Sequence, residues 1–133
     1  DNCALFLHEF WANYQYKHEF NPPHWHGGLY SFVIWMKIPY DWKEQIELPQ
    51  FQTTKIEDRK AGMFEFEYSD TRGETRSLSY QLSPDFEGCM CFFPAWMRHA
   101  VYPFFGTDEE RVSISGNIWF TPGTSSGKGF GSK

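Results

Sequence analysis

Apolar and polar positions alternate along this chain in short runs, the pattern of strands with one buried and one wet face. Over residues 63–68 (MFEFEY) the alternation is strict, with Glu65 and Glu67 on one face. Over residues 76–82 (RSLSYQL) it returns, with Leu78, Tyr80 and Leu82 together, and residues 70–74 (DTRGE) make the turn between. The longest apolar run, residues 29–38 (LYSFVIWMKI), predicts a central strand ended by Pro39. Residues 10–16 predict a strand that stops at Asn21, Pro22 and Pro23, where two prolines impose extended backbone. Residues 45–52, partly polar and broken at Pro49, predict an edge strand. Residues 89–93, 101–105 and 112–120 complete the set. Eight short antiparallel strands, without a long helix or an internal repeat, predict an all-β double-stranded β-helix, a cupin-like jelly roll.

Composition narrows this picture. A chain of 133 residues is one domain with room for one core. The jelly roll is expected over residues 1–120, and the Gly/Ser-rich stretch 121–133 has little to bury and reads as a flexible tail. The 20% aromatic content favours strands. A net charge of −5 without a Lys/Arg cluster argues against nucleic acid, and no run approaches the roughly 20 apolar residues of a membrane helix. Cys3, Cys89 and Cys91 cannot all pair within the chain, so free thiols, packed in the core, in a reducing cytoplasm are expected. The chain starts at Asp1 with no methionine and no signal peptide, as a processed product or a fragment would.

The chemistry sits in two places. His24 and His26, two residues apart after the Pro-Pro corner, present two imidazoles to one side if the segment is extended. His99, at the start of the strand after the one that Gly88 opens and Pro94 closes, is the candidate third ligand. Three imidazoles suit iron, zinc, copper or nickel more than magnesium or calcium. Twelve positions beyond His99 stands Arg111, with Ser113 on the same strand face. An arginine on an apolar strand is costly to bury unless it meets an anion. A carboxylate on a small ligand would meet that need; so would a salt bridge to Asp108, Glu109, Glu110, Glu65 or Glu67. Trp25, Tyr14, Tyr16 and Trp96 are candidates to wall a pocket or to fill the core.

Residues 21–34 (NPPHWHGGLYSFVI), 93–101 (FPAWMRHAV) and 110–117 (ERVSISGN) together resemble the putative 2-oxoglutarate and Fe(II)-dependent oxygenases of marine cyanobacterial viruses and bacteria. The resemblance runs from about Trp11 to Phe120. It implies an oxidoreductase of the cytoplasm, or of the host cytoplasm if viral, that takes Fe(II), 2-oxoglutarate and dioxygen. Such an enzyme converts 2-oxoglutarate to succinate and CO2 as it hydroxylates a primary substrate, here unidentified. His24 and His99 become iron ligands, and Arg111 with Ser113 the clamp for the distal carboxylate. Family members usually carry helical sequence ahead of the roll, which is not found here. One position departs from the wider superfamily: His26 stands where its His-x-Asp/Glu pattern has the carboxylate, and raises the site's charge by one unit. Glu65, Glu67 or Asp85 are the alternatives for a carboxylate ligand.

Two other readings compete. Gly88, Pro94 and His99 echo the second cupin motif, and a three-histidine dioxygenase without 2-oxoglutarate is at home in that architecture. Its first motif expects a glutamate where this chain has Tyr30 and Ser31. A silent binding module, with Trp42 stacking on a sugar, would keep the roll and need no metal.

Overall fold

A computed structural model describes residues 3–121. Eight strands form two four-stranded antiparallel sheets, in the orders β1-β8-β3-β6 and β2-β7-β4-β5. The strands are β1 (Ala4–Gln15), β2 (Asn21–His24), β3 (Tyr30–Lys37), β4 (Phe64–Ser69), β5 (Thr75–Tyr80), β6 (Met90–Pro94), β7 (Arg98–Val101) and β8 (Arg111–Thr121). Only β4 and β5, joined by a turn in which Asp70 Oδ1 accepts from the Arg72 and Glu74 amides, are sequential neighbours in one sheet. Every other connection crosses between sheets, and that is the jelly roll. Among the described residues, no helix is long and apolar enough to cross a membrane.

The central strand reads as expected: β3 lies between β8 and β6. Three expectations need correction. The edge strand expected over residues 45–52 is replaced by a short helix α1 (Trp42–Ile46), followed by a 3-10 turn at Pro49–Phe51. The Asp41 side chain caps α1 by accepting from the Lys43 amide at 2.9 Å, which no strand would need. Buried Gln45 then bonds both polar groups of Phe105, Nε2 to its carbonyl and Oε1 from its amide, so a side chain does the work of a ladder rung. The eighth strand is instead β2, at the Pro-Pro corner, where only two pairs, Asn21 with Val101 and His24 with His99, are in register. The strand expected at 101–105 begins earlier, as β7, and Tyr102 to Phe105 leave the ladder. The tail expected over 121–133 lies outside the described residues except for Thr121, which ends β8.

The thiols differ too. Cys3 and Cys89 are exposed and Cys91 is half-buried, all three free. Cys89 sits before β6, next to the positive-φ Gly88, so it is turned out of the core that Cys91 touches.

The core between the sheets is aromatic: Trp35, Tyr40, Phe64, Phe66, Phe93 and Phe104 pack with Val33, Ile38 and Leu82. A fully buried side chain of this kind contributes about 1.5–3 kcal/mol. The sheet β1-β8-β3-β6 is arranged less conventionally. On β1 the half-buried residues facing inward are Trp11, Asn13 and Gln15, whereas Phe10 and Tyr14 point out and are more than 60% exposed. On β8 the inward positions are Arg111, Ser113, Ser115 and Asn117, with Val112, Ile114 and Ile118 facing out. Polar residues therefore line the interior here and apolar ones form the outer surface. Phe10, Gly116, Phe32 and Phe92 make one row across that surface, paired strand to strand.

Candidate metal centre and its cavity

Two sheet-to-sheet crossovers run side by side at one end of the roll. The segment after β2 returns to β3, and the segment after β6 goes to β7; His26 donates its amide to the Ala95 carbonyl (2.9 Å), and Ala95 donates to Leu29 (3.1 Å). Those bonds lock the corners together. His24, the last residue of β2, lies directly across the ladder from His99 on β7, and His26 comes two residues later. The result is a cluster in which one ring nitrogen from each of His24, His26 and His99 lies within 4.8 Å of the others. The ring centroids of His24 and His99 are 4.2 Å apart.

The outer nitrogens are already engaged. His24 Nδ1 donates to the Pro22 carbonyl at 2.7 Å and His99 Nδ1 to the Met97 carbonyl at 3.0 Å. Those bonds put the proton on Nδ1 and leave each Nε2 with a free lone pair, the arrangement that orients a metal-ligating histidine. His99 Nε2 and His26 Nε2 are 3.2 Å apart. Two nitrogens at about 2.1 Å from one ion and about 90° apart would be separated by about 3 Å, so the spacing fits shared coordination. Burial, foremost, pushes the His99 pKa down to about 4; the Met97 carbonyl opposes this, and the neighbouring His24 and His26 add to it. Burial also lowers His26, with His24 adding to the effect and Glu9 opposing it. Both rings are thus neutral near pH 7, as ligands must be. The donor set fits a borderline divalent ion.

No carboxylate joins the cluster among the described residues. Glu65 is buried but held by Lys60 (3.0 Å) and by Ser79 Oγ (2.6 Å), Glu67 lies 3.7 Å from Arg98, and Asp85 sits in a 3-10 turn at Pro84–Phe86. The alternation that put Glu65 and Glu67 on the face opposite Phe64 and Phe66 already turned them away from the interior.

The imidazoles open on a cavity of about 810 Å³ between the sheets. Trp35, Phe64 and Phe93 form its apolar wall, and β1 and β8 supply a polar one. There Asn13 Nδ2 donates to Ser113 Oγ (3.2 Å) and Ser115 Oγ (3.0 Å). Ser31 Oγ donates to Asn117 Oδ1 at 2.6 Å, and Asn117 donates to Glu9. Of the four aromatics considered as pocket wall, Tyr14 alone lies on the cavity's lining strand, and its ring points outward, 63% exposed. Trp25, Tyr16 and Trp96 belong neither to the cavity nor to the core, all being at least half exposed. Trp25 instead stacks under the Arg98 guanidinium. Trp42 is half-buried at the start of α1.

Arg111 lies at the start of β8, only 1% exposed, beside rather than in the cavity lining. None of the acidic residues considered as its partner reaches it: Asp108 pairs with Lys17, Glu109 with Lys37, and Glu110 accepts from Tyr16. Its partners are neutral. Nη1 donates to the Tyr40 hydroxyl, Nη2 to Gln15 Oε1 (2.6 Å) and to the Tyr102 carbonyl (3.1 Å), and Nε is buried with no partner. Burial pulls the Arg111 pKa below its ordinary value, with Tyr40 opposing; a group so basic stays charged at pH 7. The guanidinium is therefore a buried cation whose counter-charge the described chain does not provide.

Tyr40 and Gln15, which motif reasoning did not single out, complete this corner. Burial raises the Tyr40 pKa against the pull of Arg111, so the phenol keeps its proton and donates it to the Gly62 carbonyl at 2.6 Å. Gly62 has a φ of +72°, and a Cβ there would come within 2.6 Å of the Tyr40 ring. Gln15 was visible only as a polar position on the 11, 13, 15 face of β1, since nothing local says that this face points inward.

A search of curated proteins finds no match to the chain. The sequence profile of the family described as putative 2OG-Fe(II) oxygenase matches residues 9–117, a span that takes in the three imidazoles, the polar wall and Arg111. A match over most of the sequence, on a jelly roll with a cluster of metal-competent histidines inside it, shows that the chain belongs to the putative 2OG-Fe(II) oxygenase family.

Proposed function

We propose that this chain is a dioxygenase that holds Fe(II) on His24, His26 and His99 and binds 2-oxoglutarate through Arg111 and Ser113. In this reading 2-oxoglutarate is converted to succinate and CO2 while a primary substrate is hydroxylated. The observation that carries it is the buried Arg111 guanidinium, balanced by no carboxylate among the described residues, at the edge of the cavity that the imidazoles line. A lone buried cation costs several kcal/mol, and a carboxylate from a small ligand offsets that cost.

Iron, when bound, supplies the activation of dioxygen. The chain's own groups do the rest. The Pro22 and Met97 carbonyls fix the tautomers and ring planes of His24 and His99, which with His26 would hold the ion. Gln15 Oε1, on Nη2 of Arg111, lies where an incoming carboxylate oxygen would bond, so Gln15 yields that place as the ligand enters. Ser113, two residues along the same face, lines the cavity and can donate its hydroxyl proton to the second carboxylate oxygen, while Asn13 donates to Ser113 Oγ. The aromatic wall keeps water from the reacting groups.

The test is calorimetric titration of 2-oxoglutarate into anaerobic, Fe(II)-loaded protein, with Arg111→Lys and Ser113→Ala alongside. Binding that weakens at least about tenfold in each variant, with iron content unchanged, is the expected result; loss of one charge-assisted hydrogen bond is worth about 1.5–3 kcal/mol. Iron uptake with no 2-oxoglutarate binding would overturn the reading. It would favour a three-histidine dioxygenase that uses no 2-oxoglutarate, a reading the all-imidazole donor set also supports.

A further inference from the structure

The inward positions of β8 run along the cavity wall in order: Arg111, Ser113, Ser115 and Asn117 follow one another at about 7 Å per step. The histidines are level with the third of them. The Trp11 ring lies 5.8 Å from the His26 ring, and Trp11 is paired with Ser115. A cosubstrate held between Arg111 and the histidines uses the wall up to that level. Asn117 stands one step beyond, on the side away from Arg111, and the binding of 2-oxoglutarate makes no use of it.

Asn117 is 1% exposed, and Ser31, its neighbour on β3, 2%. Ser31 Oγ donates to Asn117 Oδ1 at 2.6 Å, which turns the amide nitrogen toward β1, where it donates to Glu9 Oε2. Two buried side chains thus hold one exposed carboxylate at the rim of the cavity. Pinning a surface glutamate costs side-chain freedom, and solubility alone asks for no such support. Among the described residues, Glu9 Oε1 accepts no hydrogen bond and no lysine, arginine or histidine forms a salt bridge with Glu9. Its charge also reaches His26, where it opposes the lowering that burial, foremost, and His24 impose on the ring.

We propose that Glu9 binds a protonated amine of the primary substrate, which is therefore an ammonium-bearing molecule held beyond the histidines from Arg111. The proposal rests on the Fe(II) and 2-oxoglutarate reading for which end of the cavity is left to the substrate. An ammonium bonds Oε1 while Oε2 stays on Asn117, and such a bond is charge-assisted. Ser115 Oγ, which accepts from Asn13, keeps its own proton for a second polar group of the substrate. An anionic substrate would meet Glu9 with no lysine or arginine in the cavity lining to offset the repulsion.

The experiment is NMR titration of the Co(II)-loaded 133-residue chain, with and without 2-oxoglutarate. The probes are butylammonium, for a free amine, and a capped glycine-lysine-glycine peptide, for a side chain; butanol and the norleucine peptide are their uncharged counterparts. Glu9→Gln keeps an acceptor for Asn117 and removes only the charge, at an exposed position. The expected result is that one ammonium probe binds, with its methylene protons broadened by the ion, and that Glu9→Gln or the uncharged counterpart weakens binding at least about tenfold with cobalt content unchanged. Which probe binds distinguishes a free amine from a polypeptide side chain. Equal affinity in the two forms of the protein, no binding of either probe, or binding without broadening would overturn the proposal. Loss of cobalt from Glu9→Gln would also overturn it, assigning the carboxylate to the ion. Absence of 2-oxoglutarate binding by calorimetry sinks the cosubstrate reading alone, since the titration without 2-oxoglutarate still reads the amine at Glu9.

Discussion

At the scale of single residues, the histidines differ from an ordinary surface cluster because their outer nitrogens are spoken for. The Pro22 and Met97 carbonyls hold protons on Nδ1, so the free Nε2 atoms of His24 and His99 need no rearrangement to take an ion. His99 is buried and central, and its removal leaves two ligands that cannot compensate. Anaerobic metal analysis should therefore find about one ion per chain in the wild type and almost none in His99→Ala. His26→Asp should keep its ion, because it restores a two-histidine, one-carboxylate donor set that suits Fe(II). Loss of metal in that variant would show that the third imidazole is required as such. These residues were legible in the sequence by type and spacing. Tyr40, Gln15 and Gly62 were not, because each matters only through Arg111, and separations of 71 and 96 residues leave no local trace.

Elements show where pattern reading succeeds and where it inverts. Strict alternation located β4, whose Phe64 and Phe66 are in the aromatic core, and β5, whose Tyr80 packs against that core while Leu78 is 49% exposed. The same alternation located β1 and β8, but the apolar side of these two strands faces outward. Period-two alternation gives a strand and two faces; which face is inside depends on what the opposite sheet presents, here a cavity that requires hydrogen-bonding groups. Residues 45–52 misled for a related reason: partly polar and interrupted by proline, they look like an edge, until Asp41 is seen capping α1 and Gln45 bonding the Phe105 backbone. Gly116 ties β8 to β3. Gly116→Ala drives a methyl into the Phe32 ring and toward the Glu9 carbonyl at 2.9 Å, and urea denaturation should show a loss of about 1–3 kcal/mol. An unchanged midpoint would mean that Phe32 has room to turn aside.

For the whole molecule, the two crossovers that carry the histidines are also the seams between the sheets. An ion bound there would link the end of β2 and its following loop to β7, and would stabilise the folded chain by an amount that grows with the logarithm of its concentration over its dissociation constant. At a hundredfold excess that is about 2.7 kcal/mol, or a rise in melting temperature of roughly 10 °C for a chain of this size. Calorimetry of the Fe(II)-loaded protein before and after a chelator checks this under anaerobic conditions. A melting temperature that ignores the chelator would mean that the histidines hold no ion in the folded protein.

What the sequence determined by itself was local or periodic. Strand patterning, the Pro-Pro corner, the three histidines and the Arg-x-Ser spacing each need only neighbouring positions to be read, and together they pointed to the jelly roll, the metal chemistry and the family. Only the tertiary structure decided that His24 faces His99 across a ladder, that no carboxylate of the described residues joins their cluster, and that Arg111 is buried among neutral partners. It alone decided that the polar faces of β1 and β8 turn inward. These are relations between segments distant in the chain, set by how the sheets close on each other, and hydrophobic periodicity carries no information about the partner a face will meet.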